Sequence, residues 1–264
     1  MVDLVQQVNN TLDKFLNITG TLDFRVGEYV PNVFIIDSGC LADDGATMYN
    51  AANRLIEQAT DDTGHGTAIH NIIHYINPQS NIYHIKAMSE NKSNAEIIDN
   101  AFTYLRTLQR NGTSIDIVCC SFGSDAIINN KTLITIRRLA KEGSLIFSSI
   151  GNENKNQVYT PAILPEVICV GGLSAENDEF NKKWAFSNYS RITDVMALAE
   201  DINIPHSDVV VEGTSFANAI VVGQVSKLMT VYSRLKKADI QDRLMNIDTV
   251  ADLYTANGYL LMAE

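Results

Sequence analysis

Asn32-Val33-Phe34-Ile35-Ile36 runs directly into Asp37-Ser38-Gly39. The run is apolar at consecutive positions, so a strand built from it would be covered on both faces. Its β-branched content suits a strand, and the Ser-Gly that follows suits a sharp turn, which leaves the Asp37 carboxylate at the strand's carboxyl end. Similar runs recur at Asn81 to Ala87, Ile115 to Ser121, Ser144 to Ser149 and Val167 to Gly171, with a weaker sixth at Asp208 to Val211. Between and after them lie segments of helical period: Gly64 to Tyr75, Asn94 to Gln109, Asn130 to Lys141, Thr214 to Ser233 and Ala238 to Met245. In the second, Ile97, Ile98, Ala101, Tyr104, Leu105 and Leu108 trace one buried face. Buried strands alternating with helices predict an α/β fold: a doubly wound, mainly parallel sheet with helices on both faces.

The chain has 264 residues, 45% of them hydrophobic, enough for a substantial core. No internal repeat, low-complexity tract or proline-rich linker marks a boundary, so a single domain over 1–264 is expected, with an N-terminal helical segment (1–30) ahead of a core (31–264). Residues 4–16 read as an amphipathic helix with Leu4, Val5, Val8, Leu12 and Phe15 on the side that packs. Against 31 acidic residues stand 20 basic ones, a formal charge of -11, which argues against nucleic acid or an anionic membrane as partner. No stretch approaches the roughly 18 to 20 apolar residues of a membrane-spanning helix. Met1 to Leu16 lacks the basic start and apolar run of a secretory signal. Of the four cysteines, Cys119 and Cys120 are neighbours that would point to opposite faces of a strand, and no C-x-x-C pair occurs. Reduced thiols acting as small core residues, and a cytoplasmic location, are the expectation; oligomeric state stays open.

Open parallel sheets place their sites at the carboxyl ends of the strands. The residues found there are Asp37, Ser121-Phe122-Gly123 and Gly151-Asn152. Taken singly, each has an ordinary explanation as a turn or cap residue. Asp62-Thr63-Gly64-His65-Gly66-Thr67 sets a histidine between glycines at a helix start. Gly213-Thr214-Ser215-Phe216-Ala217-Asn218-Ala219 sets a serine at a second one, where unpaired N–H groups and the dipole favour an oxygen nucleophile. In Ser148-Ser149-Ile150-Gly151-Asn152 a strand ends in an amide that can donate to an oxyanion. His70 and His74 share a helix face and raise the question of zinc, but no Glu or Cys close in sequence completes a ligand set, and no metal is expected.

Together these segments resemble the subtilisin-like serine peptidases, over about Pro31 to Met229. The resemblance is carried by Ile35-Ile36-Asp37-Ser38-Gly39, Gly64-His65-Gly66-Thr67, Ser121-Phe122-Gly123, Gly151-Asn152-Glu153 and Gly213-Thr214-Ser215-Phe216-Ala217, in the order Asp, His, Ser. It implies a catalytic triad of Asp37, His65 and Ser215, with Asn152 and the Ser215 N–H as oxyanion donors. It further implies a substrate cleft formed by Ser121, Phe122, Gly123, Ser148, Ser149, Ile150, Gly151 and Tyr159, taking a peptide or protein substrate and requiring no cofactor. Thr160-Pro161 falls where the family has a cis peptide bond, and Phe186-Ser187-Asn188 and Asp194-Val195-Met196-Ala197 match two further family segments. Two departures stand out. Ile76-Asn77-Pro78 passes almost directly into the strand at Asn81, deleting a loop that in the family binds tight calcium, and Ala219 replaces a usual proline. A catalytically silent peptide-binding scaffold is the alternative. A nucleotide-binding reading fails because Asp37-Ser38-Gly39-Cys40-Leu41-Ala42 lacks the glycine fingerprint.

Overall fold

The computed structural model describes residues 10–19, 27–41, 47–50, 60–90, 92–123, 129–176, 180–232 and 238–239. In chain order the elements are α1 (Thr11–Ile18), β1 (Asn32–Asp37), β2 (Gly39–Cys40), β3 (Thr47–Asn50), β4 (Thr60–Asp61), α2 (His65–Ile76), β5 (Asn81–Lys86), α3 (Ala95–Arg110), β6 (Ile117–Cys120), α4 (Asn130–Lys141), β7 (Leu145–Ser149), β8 (Val167–Leu173), β9 (Val195–Leu198), β10 (Ile202–Asn203), β11 (Val210–Val211) and α5 (Thr214–Tyr232). Seven strands form one sheet in the order β3-β5-β1-β6-β7-β8-β9, every pairing parallel.

The consecutive apolar residues of the central strands divide by parity between two cores. Val33 and Ile35 of β1, Ile117 and Cys119 of β6, and Phe147 of β7 point to one face, where α1, α2 and α5 pack. Phe34 and Ile36, Val118 and Cys120, and Ile146 point to the other, covered by Ile98, Ala101, Phe102 and Leu105 of α3 and by Ile136 and Leu139 of α4. Helices on both faces explain why no polar alternation was visible in the sequence. Cys119 and Cys120 do face opposite cores, and none of the four cysteines is in a disulfide. The helix α5 is buried along nearly its whole length. Its Gln224 donates to Thr19 at the end of α1 (2.9 Å), and Asn77 at the end of α2 donates to Ser226 (3.2 Å) and Thr230 (3.0 Å).

Several expectations need correction. Asn10 has extended backbone angles and caps α1 by accepting from Asp13 N, so the helix begins at Thr11 and is not continuous over 4–16; residues 1–9 lie outside the described set. Leu12 and Phe15 are buried as expected. The sixth strand is shorter than Asp208 to Val211 and lies outside the main sheet, pairing antiparallel with β10. Two strands of the main sheet, β3 and β9, were not anticipated; each has only four residues, too short for a distinct period. The expected helix at Ala238 to Met245 lies almost wholly outside the described residues. Between α2 and β5 the chain makes only a turn, with Ser80 N donating to Asn77 O. No helix among the described residues is long and apolar enough to cross a membrane.

Candidate active site

The last residue of β1 is Asp37, 1% exposed, and its main-chain oxygen accepts from Ala87 N (2.8 Å) and Met88 N (3.2 Å) just beyond β5. Its Oδ1 accepts from Ser38 N (2.7 Å) and lies 2.8 Å from His65 Nδ1. His65 is the first residue of α2, a helix whose N-cap, Gly64, has no side chain to bond the free N–H groups of the first turn. Asp61 does that work instead. Its Oδ2 accepts from Thr67 N (2.8 Å) and Thr67 Oγ1 (2.6 Å), and its Oδ1 from Gly64 N (3.0 Å) and Ser38 Oγ (2.8 Å). Ser38 Oγ in turn accepts from Gly66 N (3.0 Å), so the loop after Asp37 and the helix carrying His65 cap each other. Gly66 permits the approach, because a Cβ there would meet Gly39 O at 2.2 Å.

Burial disfavours the charged imidazole of His65, but the hydrogen bond to Asp37 and the charges of Asp37 and Asp61 outweigh it and raise its pKa above the ordinary value. Imidazolium is therefore favoured in the folded protein. Its contribution to stability is complete below the unfolded-state value and is lost as pH rises through the folded one. A general base works in the opposite sense, since only neutral imidazole accepts a proton. The His65 ring resonances are expected to titrate by NMR above about pH 6.5. A titration at or below the ordinary histidine value would contradict the geometry.

Ser215 is the second residue of α5. Its hydroxyl donates to Ser121 O (3.2 Å), and Ser121 Oγ donates back to Ser215 O (3.1 Å). In this arrangement the hydroxyl proton is directed at the end of β6 rather than at the imidazole. Asn218, one turn on, is fully buried and donates to Ser121 Oγ (3.2 Å), fixing the helix against that strand end. Asn152 lies across from the serine. Its Oδ1 accepts from both Thr214 N (2.9 Å) and Thr214 Oγ1 (2.8 Å), which leaves its NH₂ as the end turned away from the helix. The loop behind it is held by buried Asn188, whose Oδ1 accepts from Glu153 N (3.1 Å) and Lys155 N (2.9 Å).

A cavity of about 380 Å³ opens between the ends of β6 and β7. Ser121, Phe122, Gly123, Ser149, Gly151 and Tyr159 line it, with Asn152 and Ser215 at its edge, so most of the expected cleft residues come together. Ser148 and Ile150 do not line it: both are fully buried, Ser148 bonded to Phe122 O (3.5 Å) and Ile150 packed with Ala162 and Cys169 beneath the floor. The strand pleat accounts for this, since Ser149 presents the opposite face from its two neighbours. The Thr160–Pro161 peptide is cis, as the resemblance implied. A second cleft, of about 430 Å³, lies on the far side of His65 between Leu41, Ile204, Val209 and Phe216. Three positioning residues escaped the sequence reading: Asp61, Thr214 in its contact to Asn152, and Asn188. Only Asp61 carried a usable signal, an acid just ahead of a helix start whose cap is glycine.

The fold brings Cys40 and His84, both distant in sequence, to His70, whose Nδ1 lies 2.9 Å from His84 Nε2, while the His74 ring stacks on that of His70 at 5.9 Å.

Comparison with known proteins agrees with this architecture. A family model described as the Subtilase family matches residues 38–259. The chain is 28% identical over 148 residues, 54% of its length, to proprotein convertase subtilisin/kexin type 9 of Mus musculus. It is 25% identical over 251 residues, 85% of its length, to alkaline protease 1 of Emericella nidulans. It spans 21% and 60% of the length of those two relatives. Among solved structures, a cold-adapted subtilisin-like serine proteinase superposes with a TM-score of 0.74 at 18% identity, covering 88% of this chain and 89% of that one. A lanthipeptide protease superposes with a TM-score of 0.70 at 18% identity, covering 94% and 92%.

Proposed function

The chain belongs to the subtilase family, and on that premise we propose that it is a serine endopeptidase acting through Asp37, His65 and Ser215. The observation that carries the reading is the 2.8 Å contact of His65 Nδ1 with buried Asp37, with the ring of Phe216, the residue after Ser215, 5.4 Å from the imidazole, and a pinned asparagine amide on the cavity that Ser215 lines. Asp37 holds the tautomer that presents Nε2 to the cleft. Ser215 Oγ, its proton turned from the Ser121 carbonyl, gives that proton to Nε2 as it attacks the scissile carbonyl, and the imidazolium returns it to the leaving amine. The Asn152 NH₂ and the Ser215 N–H receive the oxyanion. Water then repeats the sequence against the acyl-enzyme.

Tyr159 sets the size of the pocket for the side chain before the scissile bond. A Cβ on Gly123 would meet Tyr159 Cβ at 2.7 Å, and one on Gly151 would meet its Cε2 at 2.8 Å, so the ring lies between the two walls and narrows the space for a large side chain. Small or medium side chains should be preferred. Replacing Tyr159→Gly should raise kcat/KM for phenylalanine substrates relative to alanine ones by more than about tenfold, since each methylene in such a pocket is worth roughly 1–3 kcal/mol. An unchanged ratio, or a wild-type preference for large aromatics, would show that the ring does not occlude the pocket.

Limited cleavage of peptide or protein precursors is the role we favour, supported by the likeness to a lanthipeptide protease. Four buried thiols support a reducing compartment such as the cytoplasm. Stoichiometric labelling of Ser215 by a serine-directed fluorophosphonate, absent in Ser215→Ala, tests the enzyme reading. A folded wild type that stays unlabelled would instead be a peptide-binding scaffold on the same fold.

A further inference from the structure

We propose that Cys40, His70 and His84 form a binding site for a soft divalent metal ion, of which zinc is the best match. The site lies outside the proposed catalytic groups and does not depend on the peptidase reading. Its ligands come from β2, α2 and β5, and one donor atom from each lies within 4.8 Å of the others. The residues are 3%, 1% and 1% exposed.

Each occupies a place where the fold otherwise asks for an apolar side chain. His70 sits in the buried stripe of α2 beside Ile69 and Ile73. His84 is two residues from Ile82, on the strand face that meets α2, and pairs in register with Ile35 of β1. Burying two imidazoles and a thiol at one point costs desolvation that apolar residues would not incur. Coordination of an ion offsets that cost.

The donor set also selects the ion. One sulfur and two imidazole nitrogens, with no oxygen, suit zinc over calcium or magnesium. Tetrahedral coordination with Zn–N of about 2.0–2.1 Å and Zn–S of about 2.3 Å sets ligand atoms roughly 3.3–3.6 Å apart. The His70 Nδ1 to His84 Nε2 distance of 2.9 Å is that of a hydrogen bond, so the rings would part by about half an ångström to admit the ion. Binding releases the Cys40 thiol proton, and the imidazole that had donated to its neighbour gives up the proton on its coordinating nitrogen and takes one on its other ring nitrogen, a change of tautomer with no net loss. The ion then carries a net charge of one with its thiolate, and a fourth position remains for water.

The consequence is architectural. Cys40 ends the segment that starts at Asp37, and His70 lies one turn past His65 on the same helix. His84 precedes Lys86, which donates to Ser38 O (2.7 Å). An ion held by all three would clamp the loop after Asp37 to the helix of His65.

The test uses the full chain stripped of metal and titrated with Co²⁺, then with Zn²⁺. We expect one equivalent of Co²⁺ to give thiolate-to-cobalt charge-transfer absorption with tetrahedral visible bands, displaced by Zn²⁺. Zn²⁺ at a hundredfold excess over Kd should raise Tm by about 5 °C. Cys40→Ser should abolish the charge-transfer band. His84→Gln should weaken Co²⁺ binding by more than the ~10–100-fold typical of an outer-shell change. The wild-type titration and either folded variant suffice, should the other fail to fold. No absorption in wild type, or a band that persists in Cys40→Ser, overturns the site.

Discussion

Ser215→Ala should lose about a millionfold in kcat, and His65→Ala about as much, because the triad works as a unit. That figure is carried over from subtilisin itself rather than obtained from this geometry. What the geometry adds is the expectation that the loss is chemical and not structural. The Ser215 side chain makes one hydrogen bond, to the Ser121 carbonyl, while the tie in the other direction uses the Ser215 main-chain oxygen and survives the substitution. Asn218 also holds α5 against Ser121 without help from residue 215. Melting of Ser215→Ala should therefore stay close to wild type while turnover of a fluorogenic peptide vanishes. Turnover near that of wild type would sink the assignment.

The fold was legible where strands are long and buried on both faces. Runs such as Val33 to Ile36 and Leu145 to Phe147 are apolar throughout, and the structure shows why: their odd and even residues serve different cores. Strands β3 and β9 were missed because four residues give no measurable period, and pairing at the sheet edges decides their conformation more than their own sequence does. The N-terminal helix was placed too early since the apolar spacing of Leu4 to Phe15 carries no information on the cap, and Asn10 acts as one.

At the candidate site, residues whose chemistry shows in their type and immediate neighbours could be read: Asp37 after its strand, His65 between glycines, Ser215 at a helix start. Residues that act by holding another group could not. Asn188 braces the loop after Asn152 from more than thirty positions away, and nothing in Phe186-Ser187-Asn188 alone reveals that contact. The Cys40, His70 and His84 cluster was invisible for the same reason. Its members lie on three elements that meet only through the parallel pairing of β1 with β5 and the packing of α2 on the sheet. Ser148 and Ile150 show the converse, where a contiguous match was taken as a wall although alternate residues, Ser149 and Gly151, face the cavity.

Asn152→Ala should lower kcat on the order of a hundred- to a thousandfold with little change in KM, the loss known for the corresponding donor in subtilisin. The reason for expecting the full effect here is the fixed orientation of the amide. Thr214 N and Thr214 Oγ1 both donate to Asn152 Oδ1, at 2.9 and 2.8 Å, so a flipped amide would set NH₂ against the Thr214 N–H. The donor is thus aimed before substrate arrives, and no reorganisation is required as negative charge develops. Ground-state binding makes little use of it, which is why KM should hold. The same contacts yield a sharper comparison. Asn152→Asp keeps both bonds from Thr214 but turns an acceptor oxygen toward the oxyanion, so its kcat should fall at least as far as that of Asn152→Ala. Should Asn152→Asp retain more activity than Asn152→Ala, the side chain would be serving the loop rather than the transition state, and the Ser215 N–H would be left as the donor that matters.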